Sequence, residues 1–139
     1  MYSEDYKEYY DEFTIDDGLK KLGYKTKDIE KHKRMLNYAL KQAGVAEPVK
    51  KLIVNDKYYS KMFNLYCDTP YLCADGTVIE LYEHGNGIYT LEVVKLDVLK
   101  DYLDNWDMDV LEPENENKWE EWDRQWQNKR IMYMGKYQP

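Results

Sequence analysis

The residue types that build metal, redox and catalytic sites are scarce in this sequence. Its 139 residues include two cysteines, Cys67 and Cys73, and two histidines, His32 and His84. A structural zinc site needs four nitrogen or sulfur ligands at a recognisable spacing, which these four residues do not have. We therefore expect no metal and no cofactor. We expect both cysteines to be free, reduced and partly buried, with a disulfide between them as the alternative.

Short motifs of nucleotide-binding and hydrolytic enzymes are also missing. The sequence contains neither a GxGxxG nor a GxxxxGK[ST] phosphate loop, and no HExxH motif. His84 precedes the glycine turn 85–87, where a histidine can be exposed and titratable. However, no nucleophile or triad partner stands near it in sequence, and hairpin turns need glycine and asparagine for backbone reasons alone. We therefore predict that the protein is not an enzyme.

Long hydrophobic runs are absent as well. No run approaches the roughly 20 apolar residues of a membrane-spanning helix. The first five residues have neither the basic start nor the apolar stretch of a signal peptide, so we expect a cytoplasmic protein in a bacterial host cell. The length suits one domain over 1–139, with 1–13 either docked on it or forming an acidic, tyrosine-rich arm.

Tyrosine and tryptophan, in contrast, are abundant, with 15 Tyr and 4 Trp against 2 Phe. Both side chains combine a large ring with a polar group, which suits half-exposed positions and interfaces. Trp119, Trp122 and Trp126 share one stripe at helical spacing. This stripe is either part of the core or a contact surface for a partner, and the sequence leaves both interpretations open.

Charge is distributed very unevenly along the chain, although the net charge is only −7. Residues 1–19 carry a net charge of −6, residues 20–61 carry +8, and residues 62–139 carry −9. The chain is therefore a basic segment between two acidic ones, and each segment has to be considered as a contact surface.

Helices are predicted for most of the first half of the chain. Proline is tolerated in a first helical turn, so Pro48 can begin a helix, and Gly44 is typical of a helix C-terminus. The helical spacing of apolar residues predicts four helices, over 2–13, 15–22, 26–43 and 48–66.

From Tyr71 the apolar period changes from 3.6 to 2, which predicts a three-stranded antiparallel meander over about 71–95. Asp75-Gly76 is a two-residue hairpin signal. A three-residue loop at 85–87 is required to bring the apolar residues of the second and third strands onto one face. The predicted cross-strand pairs are Cys73–Val78, Leu72–Ile79, Leu81–Leu91, Ile79–Val93 and, at some cost, Glu80–Glu92.

Two further helices are predicted after the meander. Asp97 can cap a helix over 98–106, an acidic loop follows over 107–117, and a last helix spans 118–133. The predicted fold class is therefore α+β, with N-terminal helices, a three-stranded antiparallel meander and two C-terminal helices.

The feature that bears most directly on function is the acidic run from Asp97 to Asp123, which holds eleven acids and two lysines. Carboxylates on a rigid surface can imitate the phosphates of a nucleic acid and enter the basic groove of a protein that binds one. The residues expected to contact a partner are Asp97, Asp101, Asp104, Asp107, Asp109, Glu112, Glu114, Glu116, Glu120 and Glu121.

These features predict a non-catalytic protein-binding inhibitor that blocks a basic, nucleic-acid-binding host defence protein. The chain is similar in size, charge and lack of catalytic motifs to the small acidic inhibitors of CRISPR and restriction systems that phages and mobile elements encode. This likeness is one of type, and it assigns no residues.

Two alternative functions remain open at this stage. Lysine-rich helices in 20–61 would suit a small DNA-binding regulator, although Arg34 is the only arginine there and arginine is the usual reader of bases. Alternatively, the basic segment of one subunit could contact the acidic end of another in a homo-oligomeric structural protein.

Overall fold

The computed structural model describes residues 9–55, 69–104 and 128–138, together with Glu121, Arg124 and Trp126. Within these residues the chain forms six strands and three helices. In chain order they are β1 (Tyr10–Phe13), α1 (Ile15–Lys21), α2 (Thr26–Ala43), β2 (Pro48–Val54), β3 (Tyr71–Cys73), β4 (Thr77–Gly85), β5 (Ile88–Lys95), α3 (Leu96–Asp104) and β6 (Ile131–Lys136).

The six strands form one antiparallel sheet in sequence order, from β1 at one edge to β6 at the other. Successive residues of a strand point to opposite faces, so each face of the sheet has its own core. On one face, Ile79 and Leu91 pack with Leu36 and Leu40 of α2. On the other face, Val78 and Val94 belong to the cluster of Leu99 and Trp126, so α3 covers the side opposite α1 and α2.

The helices α1 and α2 lie where their apolar periodicity predicts them. The Thr14 side chain accepts a hydrogen bond from the Asp17 amide and caps α1. Helix α2 ends at Gly44, which has φ 71° and donates its backbone N–H to the carbonyls of Leu40 and Lys41. The helix predicted over 26–43 is confirmed, and the helix predicted over 15–22 is confirmed with its end one residue earlier.

Replacing Gly44 with alanine is expected to lower the free energy of unfolding by about 1 kcal/mol, because a Cβ is unfavourable at this left-handed φ. Gly44→Asn should cost less, since asparagine tolerates the left-handed region better. Urea unfolding of the three proteins measures both differences. Equal stability of the alanine variant and the parent would contradict the role of Gly44 as the helix terminator.

Two of the four predicted N-terminal helices are wrong where the structure describes them. Residues 10–13 form β1 rather than the end of a helix over 2–13, and residues 48–54 form β2 rather than the start of a helix over 48–66. Residues 1–8 and 56–68 lie outside the described part. In β2, Leu52 and Val54 are buried on one face, and Lys50 binds Glu12 of β1 at 3.0 Å. The neighbouring strands thus override the helical signal.

Three strands lie within 71–95 as predicted, but the first hairpin register is wrong by one residue. Tyr71 pairs with Ile79 and Leu72 with Val78. The Asp75 carboxylate accepts a hydrogen bond from the Thr77 amide at 3.0 Å, which stabilises a three-residue loop rather than the predicted two-residue loop.

The register of β4 and β5 is confirmed, since Ile79 pairs with Val93, Leu81 with Leu91, and Glu80 with Glu92. The register shifts between Glu83 and Gly85, so the chain turns through a bulge and not through a simple loop. All three residues of the turn 85–87 have positive φ.

The predicted fold class is wrong at the C-terminus and in the extent of the sheet. Helix α3 begins at Leu96, close to its predicted start, with the Asp97 side chain accepting from the Val98 amide. Glu121, Arg124 and Trp126 are helical, but Ile131–Lys136 forms β6 instead of ending a helix over 118–133. The predicted acidic loop over 107–117 lies outside the described residues. The three-stranded meander is therefore the middle of a six-stranded sheet.

Candidate functional site

The face of the sheet covered by α1 and α2 has a positive outer surface, which we call the basic layer. It consists of exposed cationic side chains on these helices and the turn between them, and two of its members lie in the last turn of α1. The basic layer comprises Lys20, Lys21, Lys25, Lys27, Lys31, Arg34 and Lys41.

The opposite side of the sheet carries the predicted acidic residues that the structure describes. Asp97 and Asp101 are exposed and lie one turn apart on α3, and Glu121 is exposed and helical. Asp104 belongs to the last turn of α3. The other predicted contact residues lie outside the described part: Asp107, Asp109, Glu112, Glu114, Glu116 and Glu120.

These placements separate the charges in space as well as in sequence. Because α1 and α2 pack on one face and α3 on the other, the basic layer and the exposed α3 carboxylates lie on opposite sides of the sheet. A protein with separated charges orients itself in the field of a charged partner before contact. The acidic side, defined here by Asp97, Asp101 and Glu121, therefore presents exposed carboxylates on the side of the sheet opposite the basic layer.

A line of buried polar groups runs beneath α2 and centres on His32. The His32 ring is 5% exposed, with Nε2 2.6 Å from the Tyr71 hydroxyl and Nδ1 3.3 Å from Glu83 Oε2. Burial raises the pKa of Tyr71, so its hydroxyl stays protonated and donates to Nε2. Nδ1 then carries the ring proton and donates to the Glu83 carboxylate.

Lys51 continues this line into the core. Its ammonium lies 3.8 Å from the centroid of the Tyr71 ring and donates to the Thr69 carbonyl. Gly18 of α1 makes room for it, because a Cβ there would collide with the Lys51 side chain. The glycine in the middle of α1 therefore leaves the space that the buried Lys51 side chain occupies.

The order Glu83, His32, Tyr71 is similar in form to a catalytic triad, with a tyrosine in the place of the nucleophile. Tyr71 is only 1% exposed, however, and its raised pKa opposes formation of a phenolate. Glu83 is the one member of the three with substantial exposure, 37% for its side chain. These hydrogen bonds therefore have a structural role, because they connect α2 to β3 and β4.

A cavity of about 400 Å³ lies at the exposed end of this line, lined by Leu22, Gly23, Tyr24, Asp28, Lys31, His32 and Glu83. Two carboxylates, one ammonium and the Tyr24 hydroxyl can hydrogen-bond to a molecule placed there. Burial and the nearby Glu83 raise the pKa of Tyr24, so its hydroxyl is a donor at neutral pH.

Two buried carboxylates face each other on the other side of the sheet. Glu80 and Glu92 are 6% and 1% exposed and are cross-strand partners. Glu92 binds Arg130 at 2.9 Å, and Glu80 accepts a hydrogen bond from the Thr69 hydroxyl at 2.8 Å. These contacts offset the cost of burying two like charges.

The other residues that the sequence analysis named, where the structure describes them, are buried or hydrogen-bonded within the fold. Cys73 is a free thiol, as predicted, and it is buried rather than partly buried, which raises its pKa to about 12. Cys67 lies outside the described residues. His84 Nε2 is 2.8 Å from the Thr90 hydroxyl. Trp126 is buried and belongs to the core cluster. Trp119 and Trp122 fall outside the part that the structure describes.

Sequence reasoning missed His32, Lys51 and Tyr71 as a set. His32 stands three residues after Ile29 and four before Leu36, so it lies on the apolar stripe of α2, and this spacing could have revealed it. The burial of Lys51 has no comparable local signal, because its partners come from α1, β3 and the residue before Pro70.

Comparison with known proteins does not identify a function for this chain. No protein-family model, curated protein or solved structure matches the chain. Among the residues described, no group of three His, Cys, Asp or Glu side chains is arranged to hold a metal ion. Likewise, none of the described helices combines the length and the apolar character needed to cross a membrane.

Proposed function

We propose that this protein is a non-catalytic inhibitor that binds another protein through its acidic side and blocks a basic nucleic-acid-binding groove. The observation that carries the proposal is the exposure of Asp97 and Asp101 on α3, on the face of the sheet opposite the basic layer. A basic groove evolved to hold phosphates also attracts carboxylates held on a rigid element.

The preferred target is a host defence protein, of the kind that CRISPR and restriction systems use against phages and mobile elements. The acidic run of the sequence continues beyond α3 with further carboxylates up to Asp123. A run of this length suits a partner that normally follows a stretch of nucleic-acid backbone. Electrostatic attraction of this kind speeds association and weakens as salt is raised.

Reversing the charge on the acidic side is expected to weaken binding to such a partner by at least about tenfold, because like charges then face each other at the contact. The variant is Asp101→Lys with Glu121→Lys. The partner is isolated by capture from bacterial lysate at low salt, identified, and then titrated with the parent and the variant. A double-stranded oligonucleotide should compete with the parent protein for that partner.

The matched control is Glu30→Lys with Glu47→Lys, which changes the net charge equally at two exposed residues away from the acidic side. It should leave the affinity within about threefold of the parent, because distant surface charges act weakly at physiological salt. An equal loss of affinity in both variants would show that net charge alone causes the effect. Unchanged affinity in both variants would refute the acidic-side proposal.

Direct binding of nucleic acid is the second candidate function, and the exposed cations of the basic layer favour it. The lysine-rich helices predicted in 20–61 for this function are wrong in part, since Pro48–Val54 is a strand. Capture of nucleic acid instead of protein, lost on replacement of Lys31, Lys33 and Arg34 by alanine, would move the function to this layer.

A further inference from the structure

Strand β6 is an edge strand whose side chains are exposed on both faces of the sheet. Ile131, Met132, Tyr133 and Met134 are 54%, 50%, 38% and 77% exposed. Edge strands in monomeric proteins usually carry charges, proline or a covering segment that discourages further pairing. Strand β6 instead exposes four consecutive apolar residues, which do not discourage the pairing of a further strand.

The backbone of β6 also has hydrogen-bonding groups directed outward. Tyr137 donates its N–H to the Gly87 carbonyl at 2.7 Å, and β6 continues antiparallel to β5 in the same register. In an antiparallel pair the residues that bond across the ladder alternate. Odd-numbered residues of β6 therefore bond to β5, and Met132, Met134 and Lys136 direct their N–H and C=O groups to the open edge. In the described residues no strand pairs with that edge.

A groove beside β6 provides space for side chains of an added strand. It has a volume of about 290 Å³ and lies between α2, which contributes Tyr38 and Gln42, and β6, which contributes Tyr133. Tyr89 lies with them, and its ring packs edge-on against Tyr38. Proteins that add an extended peptide to an exposed sheet edge bind its backbone along the edge strand and its alternate side chains in pockets beside that strand.

Charge determines which strand fits this edge. Lys129 lies two residues before β6, Lys136 ends it, and residues 127–139 contain no Asp or Glu, while Arg130 is held by Glu92. Lys129 and Lys136 thus place an exposed cation near each end of β6. A strand with an apolar centre and a carboxylate at each end is complementary.

We propose that β6 and the α2–β6 groove bind an extended segment of another protein, apolar at its centre and acidic at both ends, as a seventh strand. The outward amides of Met132, Met134 and Lys136 pair with its backbone. Its alternate side chains enter the groove beside Tyr133, and its terminal carboxylates contact Lys129 and Lys136. This surface is distinct from the acidic side, so the proposal stands or fails independently of the proposed function.

The test uses the full chain, isotope-labelled for NMR, and a short synthetic peptide of alternating valine and threonine with aspartates at both ends. Titration is expected to shift the backbone amides of Met132, Met134 and Lys136 and the side-chain amide of Gln42. Met134→Pro removes one outward N–H from an edge position and should weaken binding at least about tenfold. Met134→Ala keeps that N–H and should stay within about threefold of the parent.

Because proline can destabilise β6 itself, binding is also measured with altered peptides. Methylation of its β6-facing amides should abolish the shifts, and exchange of its aspartates for lysines should weaken binding at least about tenfold. Undiminished binding of the methylated peptide would overturn strand addition. Equal binding of the lysine peptide would overturn the acidic character of the partner. A dimer of the free protein that Met134→Pro dissociates would instead assign the edge to a second copy.

Discussion

Replacing Arg130 with methionine should lower the free energy of unfolding by about 3 kcal/mol, the largest single effect expected here. The Arg130 guanidinium is 2.9 Å from the Glu92 carboxylate, and Glu92 is 1% exposed. Its cross-strand neighbour is Glu80, also buried, so the variant leaves two carboxylates close together without this cation. A buried charge that loses its partner costs far more than the ion pair contributed.

Replacing Glu92 with methionine should lower the free energy of unfolding much less than replacing Arg130 does. Arg130 is 22% exposed, so in Glu92→Met its guanidinium can reach water, and the repulsion between Glu80 and Glu92 disappears. We expect Glu92→Met to cost about 1 kcal/mol or less, and Arg130→Met with Glu92→Met to recover most of the loss. Urea unfolding at neutral pH gives all three values. If Arg130→Met changed stability no more than Glu92→Met does, other contacts would be neutralising Glu92.

The parts of the fold that follow from local sequence were predictable. Helix α2 has an apolar stripe over 18 residues and a glycine at its end, so neither its existence nor its C-terminus depends on distant partners. The register of β4 and β5 was predictable because apolar residues alternate along both strands, and a one-residue slip would expose them.

The strands that sequence reasoning missed depend on neighbours distant in sequence. Pro48 and the spacing of apolar residues predicted a helix from residue 48, yet in β2 Lys50 binds Glu12 and Lys51 is buried against Tyr71. Residues 131–133 were predicted to end the helix over 118–133, but pairing with β5 outweighs their weak helical preference. Short segments with mixed signals take the structure that an adjacent strand offers them.

The candidate contact residues show the same division between local and distant information. Exposure of Asp97 and Asp101 follows from helical periodicity, since Leu99 between them is buried. That the acids face away from the basic layer depends on which face of the sheet each helix covers. Only the chain's tertiary arrangement determines this, so the sequence could indicate charged segments but not their separation.

Acidification from pH 7 to about 5 should destabilise the protein through His32, and His32→Leu should remove this dependence. Burial lowers the pKa of His32, Glu83 acts in the opposite direction, and Lys51 adds to the lowering. Because the folded pKa lies below the unfolded value of about 6.5, the unfolded chain takes up the proton first. The contribution of neutral His32 is therefore complete above about pH 6.5 and is lost as the pH falls through the folded pKa.

At pH 7, His32→Leu should itself cost about 1–3 kcal/mol, because the buried Tyr71 hydroxyl loses its acceptor. The difference in stability between parent and variant should then narrow on acidification, since only the parent loses the contribution of a neutral His32. Urea unfolding at several pH values measures both curves, over a range in which ordinary carboxylates remain ionised. Parallel curves for the parent and His32→Leu would show that protonation of His32 is not linked to folding.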